Sequence, residues 1–164
     1  MLLELASKNN FIKGVIGWID LKSDQLASQL DIWKDKKILK GFRHVLQIEV
    51  PEFMLDEKFI RGIEEISKRG YIYEILIFPQ HLEATISLVQ KLPNTTFVLD
   101  HIAKPNIKNR EIKEWAEKIY ILASFNNVNC KVSGMVTEAD YKNWTYEDIL
   151  PYLEVILDAF GSDR

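Results

Sequence analysis

Cysteine is almost missing from this sequence: Cys130 stands alone, so no disulfide framework can hold the chain together. Glycine and proline are also scarce, at 7 and 5 residues, which excludes collagen-like and low-complexity classes. Positive charge has no concentration, since 21 Lys+Arg are scattered among 24 Asp+Glu for a net charge of -3. Gripping nucleic acid or an anionic membrane needs a focused positive field, so neither is expected as a partner. No apolar run reaches the roughly 18 residues of a membrane span. Met1 to Ala6 is too short for a signal peptide and has no basic flank. These absences, with a lone cysteine suited to a reducing compartment, lead to the expectation of a cytoplasmic protein.

What is present is enough to build a core. The 164 residues are 47% hydrophobic, about one domain's worth of chain. Short apolar runs rich in β-branched residues alternate with longer stretches whose apolar positions recur every three or four residues, the pattern of βα units. Strands are expected at Val15–Asp20, Ile38–His44, Ile72–Phe78, Thr96–Asp100 and Val128–Val132. Their near-continuous apolar character suits buried parallel strands. Between them, Ser23 or Asp24 is a cap for a helix carrying Leu26, Leu30 and Trp33, and Asp56 for one carrying Phe59, Ile63 and Ile66. Pro79 suits a first turn before Leu82, Ile86 and Val89. Ile112, Trp115, Ile119 and Tyr120 form the next expected buried stripe. Asp148 is a cap for a last helix, with Pro151 in its first turn, Leu153, Ile156, Leu157 and Phe160 on its face, and Gly161 as a left-handed stop. The four tryptophans fall mostly on these faces, and Trp144 is also placed to cover a pocket.

Five βα units predict a parallel sheet with right-handed crossovers. Periodicity leaves two closures open, a doubly wound sheet or part of a (β/α)8 barrel. Leu2 to Ser7 reads as the end of a helix with no strand before it, and Gly161-Ser162-Asp163-Arg164 stops where another strand is due. The expectation is one domain over residues 1–164, truncated at both ends relative to a barrel, which typically needs about 250 residues.

In parallel α/β folds, ligands gather beyond the carboxyl ends of the strands. His101, following an apolar strand, has the chemistry of a metal ligand or of a base near neutral pH, or else simply bonds a neighbouring carbonyl. Asp100 beside it reads as structural. Arg43 stands at a strand mouth, where a guanidinium holds a carboxylate or ring oxygen, or forms an ion pair at the rim. His44 alternates with Arg43 and faces the other way in a regular strand. Glu74 and Lys131 lie within strands, where a charge needs a partner, and they are placed to neutralise each other. His81, in a helix's first turn, reads as surface. Asp20 is a site residue or a cap. There is no Gly-rich phosphate loop, no zinc-type Cys spacing, no Gly-x-Ser-x-Gly and no His-x-His.

Six segments together add a resemblance: GVIGWIDL at 14–21, LKGFRHVLQ at 39–47, YIYEILIFPQHL at 71–82, FVLDHIAKP at 97–105, NCKVSGMVTEA at 129–139 and DILPYLEVILDAFGSDR at 148–164. In one order over nearly the whole chain, these resemble the amidohydrolase-related family of TIM-barrel hydrolases, with the likeness strongest to sugar-lactone hydrolases of the L-fuconolactonase type. The resemblance implies a partial (β/α)8 barrel with about five of eight strands, the third through the seventh. It implies His101 and Arg43 as catalytic residues, His101 also as a metal ligand once other ligands are supplied, and His44, Tyr73, Glu74 and Ser133 as substrate-binding residues. It further implies a sugar lactone or related carboxylate as the small-molecule substrate, opened by activated water, with zinc or manganese in the complete barrel. The family's opening His-x-His and closing Gly-Ser-Asp-Trp-Pro are absent, and Asp163 matches the helix end before that last strand rather than the catalytic aspartate. The chain alone is therefore expected to be weakly active or inactive. The alternatives are a non-catalytic barrel remnant that binds a ligand or forms a homo-oligomer through open sheet edges, a decarboxylase of the same superfamily, and an unrelated open-sheet binding protein.

Overall fold

The computed structural model describes all 164 residues. After an opening helix α1 (Leu2–Lys8), five strands alternate with helices: β1 (Val15–Gly17), α2 (Leu26–Asp31), β2 (Leu39–Val45), α3 (Glu57–Lys68), β3 (Ile72–Leu76), α4 (Leu82–Lys91), β4 (Phe97–Leu99), α5 (Lys113–Ala123), β5 (Val128–Cys130) and α6 (Tyr146–Phe160). The strands pair in sequence order, all parallel, in one sheet. This is the expected α/β array of consecutive βα units, part of a (β/α)8 barrel.

Strand alternation gives the sheet two unlike faces. Register sets Phe42 beside Tyr73, Tyr73 beside Phe97, and Phe97 beside Val128. These residues are buried among the helices, with Phe59, Ile63 and Ile66 of α3, Leu88 and Val89 of α4, and Ile119 and Leu122 of α5 in the same core. The opposite face carries Arg43 beside Glu74, Glu74 beside Val98, and Val98 beside Asn129. Apart from Glu74, those positions are only half-buried. The first face supplies the stability that apolar burial provides, and the second is left free for polar work.

Local chemistry explains the helix ends. Asp56 caps α3 by accepting from the N–H of Lys58 and of Phe59, as expected. Gly62 lets that helix touch the loop after β1, because a Cβ there would sit 2.1 Å from the Leu21 carbonyl oxygen. The start of α2 differs from expectation: Gln25 precedes it without a side-chain cap, and Ser23 Oγ instead accepts the Gln25 N–H at 3.2 Å. The start of α6 also differs. Thr145 is its cap and Asp148 its third residue, accepting the Thr145 N–H at 3.0 Å in a capping box, so Pro151 falls beyond the first turn. Gly161 then turns the chain with φ +70, and the Arg164 carbonyl accepts the Cys130 N–H at 2.8 Å along the edge of β5.

Several side chains sit elsewhere than periodicity suggests. Trp115 is buried, but Trp18 is 65% exposed on the edge strand's exit, and Trp33 and Trp144 are also exposed. Tyr120 and Leu157 lie on the outer sides of α5 and α6, with the Tyr120 hydroxyl donating to Asp158 at 2.9 Å. His81, expected at the surface, is 1% exposed. Its Nε2–H donates to the Glu49 carbonyl oxygen at 3.0 Å and its Nδ1 accepts the Phe78 N–H at 3.3 Å, so two backbone groups in the loops after β2 and β3 offset the cost of burying it. No helix is long and apolar enough to cross a membrane.

Candidate active site on the open face

Four consecutive strands each bring one charged residue to the same place on the open face. Arg43 Nη1 donates to Asp100 Oδ2 at 2.9 Å and lies 3.5 Å from Glu74 Oε2. The Lys131 ammonium donates to Glu74 and stands 2.9 Å from Asp100 Oδ1. Two steps along a strand return to the same face, which is why Asp100 follows Val98 there and Lys131 follows Asn129. The acids lie beneath, with side chains 4% and 0% exposed for Glu74 and Asp100, while Arg43 and Lys131 are 39% and 42% exposed. Burial by itself would lower the Lys131 ammonium, but its bonds to Glu74 and Asp100 and their negative charges outweigh that and raise it above the ordinary lysine value.

His101 enters from a strained turn. His101, Ile102, Ala103 and Lys104 are four consecutive non-glycine residues with φ between 49° and 59°, the left-handed region that costs L residues roughly 1–2 kcal/mol each. The surroundings hold this turn in place. Ile102 and Ala103 are buried, the Trp115 indole donates to the Ile102 carbonyl at 2.9 Å, the Ile102 N–H donates to the Lys131 carbonyl at 3.2 Å, and Lys104 is paired with Glu138. Strain maintained by so many contacts is a mark of functional segments.

The turn delivers His101 to Ser133, with Nδ1 and Oγ 2.8 Å apart, and Nε2 has no hydrogen-bond partner within the chain. Gly134 makes room for the ring: it has φ +69, and a Cβ on it would stand 2.9 Å from the His101 Cβ. The imidazole is thus oriented at one nitrogen and free at the other, the arrangement of a histidine that serves a ligand.

Of the residues singled out in the sequence, Arg43, Glu74, His101 and Ser133 lie on or beside this open face. His44 and Tyr73 do not, because alternation sends them to the helix side. His44 stacks on Phe53 at 5.1 Å between ring centroids and pairs through Nε2 with Glu49 at 2.9 Å. Tyr73 is fully buried between Phe59 and Phe97, and that burial pushes its phenol far above the ordinary tyrosine value. Glu74 and Lys131 neutralise each other as their positions suggested, but Asp100 shares in the pairing and Arg43 completes it. Gly134 and Trp115 were not picked out as site residues; a glycine one residue after Ser133 was the available signal. Asp163 lies in the exposed segment after α6, apart from this cluster. A neighbouring depression of about 440 Å³, lined by Phe78, Pro79, Lys104, Trp115 and Glu138 among others, contains none of the four clustered charges.

The chain has no group of three or more His, Cys, Asp or Glu arranged to hold a metal ion. Glu74 and Asp100 are engaged by cations, leaving His101 Nε2 as the one free nitrogen donor of the histidine and acid groups on this face. These residues do not by themselves fit a metal centre.

Comparison with known proteins agrees with this architecture. L-fucono-1,5-lactonases from Burkholderia multivorans and Burkholderia ambifaria are 36% and 33% identical to the chain, in each case over 99% of it. The chain spans only 58% and 56% of their lengths. A solved amidohydrolase from Burkholderia multivorans with bound zinc superposes with a TM-score of 0.91 at 35% identity, covering 98% of this chain and 59% of that one. A protein of solved structure from Pseudomonas putida shares the fold, with a TM-score of 0.73 at 17% identity over 99% of this chain and 58% of that one. The amidohydrolase family profile matches residues 1–164, and the chain belongs to the amidohydrolase family.

Proposed function

We propose that the chain carries the histidine and anchoring half of a hydrolase site that opens a sugar lactone, of the kind named for its Burkholderia relatives. The observation that supports this most is His101, held at Nδ1 by Ser133 and unpartnered at Nε2 next to the Arg43–Asp100 pair. In the proposed reaction, water adds to the lactone carbonyl, the ring C–O bond breaks, and the leaving alkoxide takes a proton to give the hydroxy acid. With the Ser133 hydroxyl donating to Nδ1, His101 presents Nε2–H to the carbonyl oxygen and stabilises the charge that develops there. Arg43, fixed by Asp100, anchors a ring or carboxylate oxygen.

No group here is free to activate the water, because both buried carboxylates are held by cations. The proposal therefore assigns that step, and the strands that close the barrel, to segments outside these residues, and expects the isolated 164 residues to hydrolyse lactones at least about 10³-fold more slowly than a complete site. In the complete barrel His101 would serve as one ligand of zinc or manganese only in the other tautomer, with Nδ1–H donating to Ser133 Oγ and Nε2 unprotonated. Glu74 serves by fixing Arg43 and Lys131, whereas His44 and Tyr73 serve packing. A cytoplasmic location, suited to the free thiol of Cys130, is part of the same reading.

A second reading, a non-catalytic assembly, is favoured by the open edge of β1 beside the exposed Trp18. One experiment separates the two. A chimera in which residues 1–164 replace the matching part of the Burkholderia multivorans lactonase is expected to hydrolyse L-fucono-1,5-lactone and to lose that activity in His101→Ala. A folded chimera that is inactive, or whose His101→Ala form is fully active, would refute the lactonase reading.

A further inference from the structure

The charge quartet is more than an internal staple. Its acids are buried and its cations lie at the surface of the open face, so the group forms an oriented set of dipoles whose positive ends point outward, although its formal charge is zero. Arg43 and Lys131 engage different oxygens of the one Asp100 carboxylate, which brings the guanidinium and the ammonium side by side. Asp100 is followed directly by His101, and the Lys131 carbonyl accepts a backbone N–H from the His101 turn. Each cation has one side occupied by buried carboxylate and another open, and the Lys131 ammonium remains charged through the neutral range because its pairing raises it.

A buried network of this kind is not an economical way to stabilise a sheet, since apolar residues of similar volume do as well or better. The feature that packing does not require is that both cations stay part-exposed, at 39% and 42%, above acids that are sealed. A single anchoring arginine would suffice for a neutral ring. Two adjacent cations above buried acids suit a ligand that bears a full negative charge, as the carboxylate of an opened lactone does.

We propose that Lys131 and Arg43 together form a carboxylate-binding site on the open face, and that the ligand class it takes is a polyhydroxy carboxylic acid, the ring-opened product of the lactone reading. The inference rests on that reading for the identity of the acid, and it assigns Lys131 a direct binding role. Ser133 and His101 lie next to the bound carboxylate without being needed to hold its charge.

The test is equilibrium binding of sodium L-fuconate to the purified 164-residue chain, followed through the Arg43 side-chain N–H signal in ¹H–¹⁵N spectra, with the uncharged polyol L-fucitol as control. L-Fuconate is expected to shift that signal saturably, and L-fucitol to bind at least tenfold more weakly. Lys131→Met alone leaves buried acid uncompensated, so the informative variant is the double change Lys131→Met with Glu74→Gln, which removes one charge of each sign. It is expected to weaken L-fuconate binding at least tenfold, whereas Lys131→Arg stays within threefold of the parent. No saturable shift, equal binding of the polyol, or unchanged binding in the folded double variant would each overturn the inference. Lactone hydrolysis by the chimera, measured beside L-fuconate binding by the chain for the same double variant, separates the two proposals. Absence of the anion site with hydrolysis by the parent chimera intact defeats this inference alone, and the reverse result defeats the lactonase reading.

Discussion

The two faces of the same five strands solve different problems. On the helix side, Phe42, Tyr73, Phe97 and Val128 run across adjacent strands into the apolar surfaces of α3, α4 and α5, and no charged side chain interrupts them. On the open side, one residue beyond Phe42 and Tyr73 and three beyond Phe97 and Val128, Arg43, Glu74, Asp100 and Lys131 occupy neighbouring positions. Burial stabilises the first face in proportion to area, and many substitutions of similar size would serve it. The second is discrete: each charge has a named partner, so losing one member changes what the others can do. The backbone that carries them differs too. The helix side rests on unstrained strands, whereas His101 rides on four left-handed residues.

This contrast gives an ordered set of expectations. Phe97→Ala, on the helix side, should cost the most stability, about 3–5 kcal/mol in urea unfolding, because it opens a cavity in a fully buried ring cluster. On the open side, Glu74→Gln alone leaves Arg43 and Lys131 to share the single charge of Asp100 and should cost about 2 kcal/mol, with Lys131's exposure keeping the value low. Pairing it with Lys131→Met should recover more than half of that loss, whereas two substitutions on the helix side should simply add. Gly134→Ala should cost about 1–2 kcal/mol, because alanine resists φ +69 and its Cβ meets His101. In the chimera it should also slow hydrolysis by displacing the ring, which a plain stability loss would not do below the melting temperature.

The last effect appears only in alkaline solution. Burial pushes the Cys130 thiol up from 9.0 to about 12, so the thiol stays protonated in the folded chain after it would ionise in the unfolded one. A raised value of this kind contributes stability that is complete below pH 9.0 and is lost as pH rises toward about 12. Urea midpoints measured across that window should fall less steeply in Cys130→Ala. Lys131, also raised, adds a second loss above its ordinary value of 10.5.

The helix side was the more legible of the two in the sequence, for a physical reason. Apolar periodicity reports burial directly, so all five strands and the buried stripes of α3 and α4 could be placed from it, with strand ends shifted by a few residues. It reports nothing about charge partners, so the sharing of Asp100 between Arg43 and Lys131 was not legible, although the pairing of Glu74 with Lys131 was. Alternation correctly separated His44 from Arg43, and applied to Tyr73 and Glu74 it separates those as well. The left-handed turn has little sequence signal, since of His101, Ile102, Ala103 and Lys104 only histidine is enriched at positive φ, and the surroundings impose the rest. The burial of His81 was hidden because its partners are backbone groups in two different loops. The start of α6 was misplaced because Asp148 suits a cap as well as the third position of a capping box.

The central claim is that function resides on the open face and stability on the other. It is tested most directly by measuring hydrolysis of L-fucono-1,5-lactone by the chimera carrying residues 1–164, with His101→Ala set against Tyr73→Phe. The account predicts a loss of at least about 10³-fold in kcat for His101→Ala and a rate within about threefold of the parent for Tyr73→Phe, whose hydroxyl lies buried on the helix side. Retained activity in His101→Ala, or a comparable loss in a folded Tyr73→Phe, would contradict it.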